Sequence, residues 1–337
     1  MTRGVRFHHF GGPEVLRIEE LPAPEPGSGE VRLRMHAVGL NPADSMLYRG
    51  ISRRRTELPS PLGCEGAGTV EAIGTDVDPA WLGRKVSLLP TNRAGHYGTL
   101  GEQVLAPLAA LVENPDGFSD SECSAIWLNY LTAYTGLIEA AHVKQGDCVL
   151  VTAATTSLGI AAIQIAKAER ATTIAVTRDG RWKRELLSIG ADHVASIDEE
   201  DAAAEIRRIT HGQNARIVFS PVGEPFLGTA ILHLKESGIF LTSDELSDVR
   251  VASNSGGTVP KGIRVCNSNA AQITDQPEKL AVATVYIRDR LKFGFLQVEV
   301  ARKFPFEQVV DAYRHLESNE AFGKIVVTFP EQTAHIS

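Results

Sequence analysis

Two patterns of hydrophobic and polar residues divide the chain. Up to about residue 124, short segments of alternating or β-branched residues are broken by frequent glycine and proline, as in residues 31–38 and 67–73. Alternation with period two puts one side of a segment in a core and the other in water, which is typical of antiparallel strands. The first part of the chain is therefore predicted to be an all-β module.

From Cys148 onwards, continuous apolar segments alternate with segments of helical period. The predicted strands are residues 148–153, 172–176, 193–196, 215–220 and 238–242, and the predicted helices are residues 158–169, 181–189 and 202–210. Buried strands that alternate with helices indicate βαβ units and a parallel sheet. The pattern predicts an α/β fold with a doubly wound parallel sheet that binds a nucleotide.

The remaining segments are simpler. Residues 243–261 are polar and are predicted to form a long surface loop. Residues 277–292 have a helical pattern, and residues 324–329 are predicted to be a closing strand.

Length and charge limit the classes of function. A chain of 337 residues exceeds one hydrophobic core, so two domains are expected. Its 34 basic and 41 acidic residues give a net charge of −7 and form no long basic run, which argues against a nucleic-acid or anionic-membrane surface. Neither a membrane-spanning apolar run nor a secretory signal is visible. We expect a cytoplasmic protein that binds neither nucleic acid nor membrane.

Cysteine spacing excludes two kinds of site. The four cysteines are Cys64, Cys123, Cys148 and Cys266, far apart and without a Cys-x-x-Cys pair. This spacing fits neither a disulfide framework nor a structural zinc knuckle, so buried reduced thiols are expected.

The turn after the first predicted strand of the sheet is a candidate phosphate site. It runs from Ala153 to Gly159 between a strand and a helix, where the pyrophosphate of a dinucleotide would meet amide groups and the helix dipole. Of the pattern Gly-x-Gly-x-x-Gly only the last glycine is present, with Ala154 and Thr156 at the other two positions. An ordinary strand-to-helix turn is the alternative interpretation.

Basic residues follow the second predicted strand of the sheet. Thr177 is followed by Arg178, Asp179, Arg181 and Lys183, at the place where a 2′-phosphate would lie. Guanidinium groups bind phosphate well, so the sequence favours NADPH over NADH. Asp179 keeps the question open, because an acidic residue close to this place is typical of NAD sites, and the charges could also be an incidental solvated helix start.

Six segments together resemble one protein family. In chain order they are Phe10-Gly-Gly-Pro-Glu-Val-Leu16, Gly39-Leu-Asn-Pro-Ala-Asp44, Pro61-Leu-Gly-Cys-Glu-Gly-Ala-Gly-Thr-Val70, Leu131-Thr-Ala-Tyr134, Gly190-Ala-Asp-His-Val194 and Gly323-Lys-Ile-Val-Val327. They resemble, in the same order, segments of the medium-chain dehydrogenase/reductase superfamily, in its zinc-free quinone oxidoreductase and enoyl reductase branch.

The resemblance implies a fold and an assembly. A GroES-like β domain would contain residues 1–124 and 270–337, and a Rossmann NADPH-binding domain would contain residues 125–269. It also implies a homodimer built edge to edge through the Rossmann sheets, although the strand expected at residues 264–269 is unusually polar.

The resemblance also bears on metal binding. Zinc-dependent members hold zinc with a cysteine and a His-Glu pair, among other ligands, and this chain has Asn41 and Cys64-Glu65 at those positions. The lobe that would carry four structural cysteines has none between residues 85 and 110. No metal site is predicted, and without a Lewis acid the oxidation of an alcohol is disfavoured.

Reduction of a quinone, or of a double bond conjugated to a carbonyl, needs fewer groups from the protein than oxidation of an alcohol does. It needs donors near the carbonyl oxygen and a source of protons. By resemblance, the predicted catalytic residues are Asn41, Tyr48 and Tyr130, with Tyr97, Asn129 and Tyr134 as further candidates. The alternatives are that Asn41 caps its own turn and that the tyrosines only pack.

The predicted cofactor contacts span the Rossmann region and the last strand. They are Thr132, Ala154, Thr155, Thr156, Ser157, Leu158, Gly159, Thr177, Arg178, Lys183, Val222 and Lys324. For Lys324 the alternative is a surface cation on the last strand.

Three hypotheses for function follow. The first is an NADPH-dependent reductase that transfers hydride to an activated carbon–carbon double bond or a quinone without a metal. The second is a zinc-dependent alcohol dehydrogenase, and the third is a family member that binds NADPH but has lost its chemistry. The substrate would be a small molecule. Arg53, Arg54 and Arg55 could attract an anionic one, or they could be a solvated charged surface.

Overall fold

The structure, a computed structural model, describes residues 1–52, 55–90, 97–197, 202–221, 230–243 and 260–330. In these residues the strands are β1 (Thr2–Phe7), β2 (Arg17–Leu21), β3 (Glu30–Gly39), β4 (Ser60–Pro61), β5 (Gly66–Ile73), β6 (Lys85–Leu88), β7 (Gln103–Pro107), β8 (Leu111–Glu113), β9 (Cys148–Val151), β10 (Thr172–Thr177), β11 (His193–Ser196), β12 (Ala215–Ser220), β13 (Leu234–Thr242), β14 (Arg264–Asn267), β15 (Val300–Pro305) and β16 (Lys324–Thr328).

The helices that the structure describes are fewer than the strands. They are α1 (Pro42–Tyr48), α2 (Asp120–Cys123), α3 (Trp127–Tyr134), α4 (Ser157–Ala168), α5 (Lys183–Ser188), α6 (Ala202–Ile209), α7 (Ala271–Thr274), α8 (Pro277–Lys292) and α9 (Val309–Glu317). A π-helical segment, Thr135–Ala140, continues α3. Single 3₁₀ turns lie at Pro13–Val15, Pro79–Trp81, Leu108–Ala110, Gly180–Trp182 and Phe306–Gln308.

The chain divides into two units, residues 1–128 with 298–337 and residues 129–297. In the first, β15, β16, β3, β5, β6 and β8 form a largely antiparallel sheet in that order, and β7 pairs with β3. A smaller sheet has the order β2-β1-β4. Residues of β3 alternate between buried and half-buried, so one side of this strand faces the core around Leu33, Met35 and Phe306. The predicted β module is confirmed, but it is not all β, because α1 and α2 lie within its first 124 residues.

The second unit is built on a six-stranded sheet. Its order is β11-β10-β9-β12-β13-β14, and every pairing is parallel. This is the order of a Rossmann fold, whose ligand crevice opens where the strand order reverses, between β9 and β12. The predicted α/β fold with a doubly wound parallel sheet is confirmed.

The unit boundaries differ from those expected at residues 124 and 269. Residues 270–297 belong to the parallel-sheet unit. The reason is a set of contacts within that unit. Ala270 N–H donates to Thr132 Oγ1 at 3.2 Å. Glu169, the C-cap of α4, accepts hydrogen bonds from Tyr286 Oη at 2.8 Å and from Arg290 Nη2 at 2.7 Å, and both of these residues lie on α8. The contacts of Glu169 join α8 to the end of α4, and that of Ala270 joins the segment before α7 to α3.

Candidate functional site

A buried group of polar side chains lies in the first unit where neighbouring strands meet. Asn41 follows β3 and begins α1, Glu65 directly precedes β5, and Lys324 is the first residue of β16. Because β3 pairs with both β5 and β16, the sheet brings these side chains together. We call Asn41, Asp44, Glu65 and Lys324 the polar cluster.

Lys324 is at the centre of the polar cluster. Its Nζ donates to Asn41 Oδ1 and to Glu65 Oε1, each at 2.5 Å, and the Lys324 and Glu65 side chains are both 1% exposed. Asn41 Nδ2 donates to Glu65 Oε1 at 3.0 Å and to Gly39 O at 3.1 Å. The alternative interpretation of Lys324 as a surface cation is therefore wrong, and the amide of Asn41 forms its hydrogen bonds with buried groups of the protein.

Asp44 adds a second carboxyl to this cluster. Burial raises the pKa of Asp44 to about 6, although the Asn41 N–H, the Tyr313 hydroxyl and the Lys324 charge all act in the opposite direction. The Asn41 N–H donates to Asp44 Oδ2 at 2.9 Å, which fixes the first turn of α1. Near pH 6 the Asp44 carboxyl therefore changes its charge inside the protein.

Tyr48, a predicted catalytic residue, lies at the end of α1. Its side chain is fully buried, and its hydroxyl donates to Glu317 Oε1 at 2.7 Å and lies 2.8 Å from Ser45 Oγ. Burial raises the pKa of Tyr48 above its ordinary value. Its ring meets the ring of Tyr313 edge to face, with centroids 5.4 Å apart. The hydroxyl is therefore engaged in a structural contact with α9.

Tyr130, the other predicted catalytic tyrosine, lies in the second unit on α3. Its hydroxyl has Gln164 Oε1 at 2.7 Å and the carbonyl oxygen of Gln297 at 2.8 Å as acceptors. Thr132 on the same helix also forms hydrogen bonds within the protein. Its Oγ1 accepts the Ala270 N–H, and its carbonyl oxygen accepts the Ser268 hydroxyl. Both side chains are nearly fully buried, and both bond to other residues of the second unit.

The predicted phosphate turn joins β9 to α4. Thr156 is the N-cap of α4, where its Oγ1 accepts the Gly159 N–H at 3.1 Å and donates to Ala153 O at 2.8 Å. A Cβ at Gly159 would lie 2.5 Å from Ala153 O, so only glycine lets the helix start this close to the strand. Ser157 and Leu158 are the first residues of α4, where amides have no acceptor within the helix.

This turn lies at the point where the strand order reverses. Thr152, one residue after β9, has its Oγ1 2.8 Å from Ser220 Oγ at the end of β12, and both side chains are buried. Ala154 N–H donates to Val176 O at 3.2 Å and fixes the turn to β10. Thr155, Thr156, Ser157 and Leu158 remain half-buried at the carboxyl end of the sheet. The residues predicted for this turn are therefore grouped at one place.

The cations after β10 are divided between two environments. Thr177 ends β10 and is buried, whereas Arg178 and Lys183 are exposed. Arg181 instead pairs with Asp179, its Nε lying 3.0 Å from each carboxylate oxygen. The hydrogen bonds from Arg181 lower the pKa of Asp179, so this carboxylate stays ionised.

Several predicted residues lie elsewhere or outside the described part of the chain. Val222 lies in the range 222–229, and Arg53 and Arg54 at positions 53–54, neither of which the structure describes. Tyr97 is buried and its hydroxyl donates to Glu30 Oε1 at 2.5 Å. Sequence reasoning missed Glu65 and Asp44 as parts of the polar cluster. The signal available was Glu65 in the segment 61–70, but nothing in that segment shows that Lys324 is its partner.

The residues of the polar cluster do not fit a catalytic metal ion. Lys324 already places a positive charge on the oxygens of Asn41 and Glu65, and a divalent cation at these donors would be repelled at close range. In the described ranges, no group of three or more histidine, cysteine, aspartate and glutamate side chains is placed to hold a metal.

Comparison with known proteins identifies the family. The family described as "Alcohol dehydrogenase GroES-like domain" matches residues 27–116, and the one described as "Zinc-binding dehydrogenase" matches residues 189–327. Quinone oxidoreductase from Pseudomonas aeruginosa is 29% identical over 328 residues, which are 97% of this chain and 99% of that protein. The chain belongs to the medium-chain dehydrogenase/reductase superfamily, in its quinone oxidoreductase-like branch.

Solved structures of the superfamily have the same fold. Escherichia coli quinone oxidoreductase complexed with NADPH matches with a TM-score of 0.85 and 25% identity, over 97% of this chain and 99% of that one. The CurK enoyl reductase structure matches with a TM-score of 0.86 at 23% identity, over 98% of this chain and 99% of that one. None of the helices in the described part of the chain combines the length and the apolar character that a membrane span requires.

Proposed function

We propose that this protein is an NADPH-dependent oxidoreductase that reduces a quinone, or a carbon–carbon double bond conjugated to a carbonyl, without a metal ion. The observation that carries the proposal is the position of the turn from Ala153 to Gly159 at the strand-order reversal of the parallel sheet. The names of the Pseudomonas aeruginosa relative and of the NADPH-bound Escherichia coli structure support the same reaction class.

Two groups of residues would bind two different parts of NADPH, its pyrophosphate and its 2′-phosphate. The amides of Ser157 and Leu158 would hold the pyrophosphate, because the start of α4 offers unpaired N–H groups and the positive end of its dipole. Arg178 and Lys183 would hold the 2′-phosphate, since both are exposed after β10. When bound, NADPH supplies the hydride that reduces the substrate.

We assign Asn41 a positioning role rather than direct donation to substrate. Its N–H groups donate to Gly39 O and Glu65 Oε1, and its oxygen accepts the Lys324 ammonium. Lys324 in turn keeps a fixed positive charge in the cluster, and no Lewis acid is needed to reduce an electron-poor carbon. The zinc-dependent alternative is disfavoured by the same ammonium.

Water is the proposed source of the proton. The hydroxyl of Tyr48 donates within the first unit, to Glu317, and that of Tyr130 within the second unit, with Gln164 as an acceptor. Neither tyrosine is therefore poised as a general acid, and the hydroquinone anion or enolate that hydride addition leaves is basic enough to take a proton from solvent. Pairing of two copies along β14 stays a prediction.

Titration of the protein fluorescence with NADPH and NADH tests the cofactor assignment. NADPH should bind at least roughly tenfold more tightly than NADH, and Arg178→Ala and Lys183→Ala should each weaken NADPH by a similar factor. Arg184→Ala is the matched control, because Arg184 is exposed on α5 and has no ion pair in the described part of the chain. Absence of binding by either nucleotide would overturn the proposal and favour a protein without this chemistry.

A further inference from the structure

The carboxylate that follows β10 is paired with a neighbouring guanidinium. Asp179 is the N-cap of the 3₁₀ turn Gly180–Trp182, and its Oδ1 accepts the Arg181 N–H at 3.0 Å. Arg181 Nε lies 3.0 Å from both carboxylate oxygens, and Arg181 Nη2 lies 2.9 Å from Asp179 Oδ2. The two carboxylate oxygens are therefore both occupied by one cation.

An acidic residue at this end of the second Rossmann strand has a defined effect on nucleotide choice. A free carboxylate accepts hydrogen bonds from the ribose 2′-hydroxyl of NADH, and the same carboxylate repels the 2′-phosphate of NADPH. Asp179 is ionised, as its lowered pKa indicates, so it would favour NADH if nothing covered it. Arg178 and Lys183 lie on either side of Asp179 in sequence and favour the phosphate.

We propose that Arg181 sets the nucleotide preference of this protein by masking Asp179, so that the carboxylate neither binds the ribose hydroxyls nor repels the 2′-phosphate. The inference rests on the proposed function, because it concerns the NADPH site. The geometry favours masking over a direct phosphate contact, since Arg181 Nε and Nη2 already point at the carboxylate. The side chains remain 51% and 33% exposed, so a nucleotide can reach the pair.

Arg181 could act by masking Asp179 or by binding the phosphate directly. These two roles predict different NADPH affinities for a variant in which both residues are replaced. If Arg181 masks Asp179, Arg181→Ala exposes a free carboxylate, and Asp179→Asn in the same chain removes the repulsion again. If Arg181 instead binds the phosphate itself, Asp179→Asn cannot replace the lost guanidinium. Asparagine retains an oxygen that accepts the N–H of residue 181, so the turn keeps its cap.

Dissociation constants for NADPH and NADH, measured by fluorescence titration of the wild type and four variants, test the proposal. Arg181→Ala should weaken NADPH and tighten NADH, each roughly tenfold, which is the factor expected from one hydrogen bond or ion contact. The double variant Asp179→Asn/Arg181→Ala should recover wild-type NADPH affinity within about threefold and lose the gain for NADH. Asp179→Asn alone should bind NADPH as the wild type does.

Two results would overturn the inference. One is a double variant that binds NADPH as weakly as Arg181→Ala, which would make Arg181 a direct phosphate ligand. The other is a control, Arg184→Ala, that shifts the preference as much as Arg181→Ala, which would reduce the effect to net charge. A wild type that binds neither nucleotide would instead overturn the proposed function itself, and the two failures are thus distinguishable.

Discussion

At the scale of single residues, Lys324 forms a buried ion pair with Glu65 in the first unit. Its ammonium and the Glu65 carboxylate are both 1% exposed, and each is the other's buried counter-charge. Lys324→Met should lower the free energy of unfolding by about 3–5 kcal/mol, because it leaves an unpaired buried carboxylate. Glu65→Gln in the same chain should restore most of this loss.

Urea unfolding of these variants measures the effect. Lys303→Met on β15 is the matched control, because Lys303 is exposed and its replacement should change stability by less than about 0.5 kcal/mol. A Lys324→Met variant as stable as the control would contradict the buried ion pair.

The buried carboxyl of Asp44 should make the stability of the protein depend on pH. Its pKa is raised to about 6 by burial, so the folded protein holds this proton more tightly than the unfolded chain does. The protonated Asp44 carboxyl contributes fully to the free energy of unfolding below pH 4. This contribution, at most about 3 kcal/mol, is lost as the pH rises towards 6. Comparing urea unfolding of the wild type and Asp44→Asn between pH 4 and 6 measures it. An identical pH dependence in the two proteins would show that Asp44 titrates normally.

Replacement of either buried tyrosine, Tyr48 or Tyr130, by phenylalanine should have only a small effect on turnover. With water as the proton source, Tyr48→Phe and Tyr130→Phe should each keep kcat with a quinone within about threefold of wild type, whereas loss of a general acid costs about a hundredfold or more. Steady-state NADPH oxidation measures this. A large fall in kcat together with a changed pH profile in either variant would identify that tyrosine as the proton donor.

At the scale of elements, the contact between α4 and the turn before it depends on Gly159. In Gly159→Ala the new Cβ would lie 2.5 Å from Ala153 O and 2.9 Å from Ala154 Cα, both backbone atoms. We expect a loss of about 1–3 kcal/mol in stability and weaker NADPH binding, because the helix start must move away from the turn. Gly27→Ala is the control, since its Cβ meets only the flexible Glu30 carboxylate at 3.3 Å. Thermal unfolding and NADPH titration measure both effects, and a Gly159→Ala variant that matches the control would contradict the close approach.

Elements whose signal is local were predicted well. The strands β11 and β12 and the helix α8 lie at the predicted residues, because each is marked by its own run or period of apolar side chains. Helix α5 begins at Lys183 rather than at residue 181, because Asp179 caps a 3₁₀ turn first. The side-chain hydrogen bond that makes this cap depends on detailed geometry that a hydrophobic pattern does not contain.

At the scale of the whole molecule, what escaped prediction depends on contacts between distant parts of the chain. Lys324 and Glu65 are 259 residues apart, so neither neighbourhood indicates a buried ion pair. The boundary near residue 297 escaped for the same reason, because it follows from contacts such as Tyr286 with Glu169 across 117 residues. The length of the chain predicted two domains, and the six segments that resemble the superfamily predicted the fold of each, since their order spans nearly the whole chain.

The central claim is a metal-independent, NADPH-dependent reduction, and one measurement tests it most directly. Initial rates of NADPH oxidation should be recorded with a panel of quinones and enones, using protein treated with a chelator and the same protein supplied with zinc. We predict turnover with at least one of these substrates, unchanged by chelation and by zinc. Activity that disappears on chelation and returns with zinc would contradict the role assigned to Lys324, and no turnover of any substrate despite tight NADPH binding would contradict the reductase assignment.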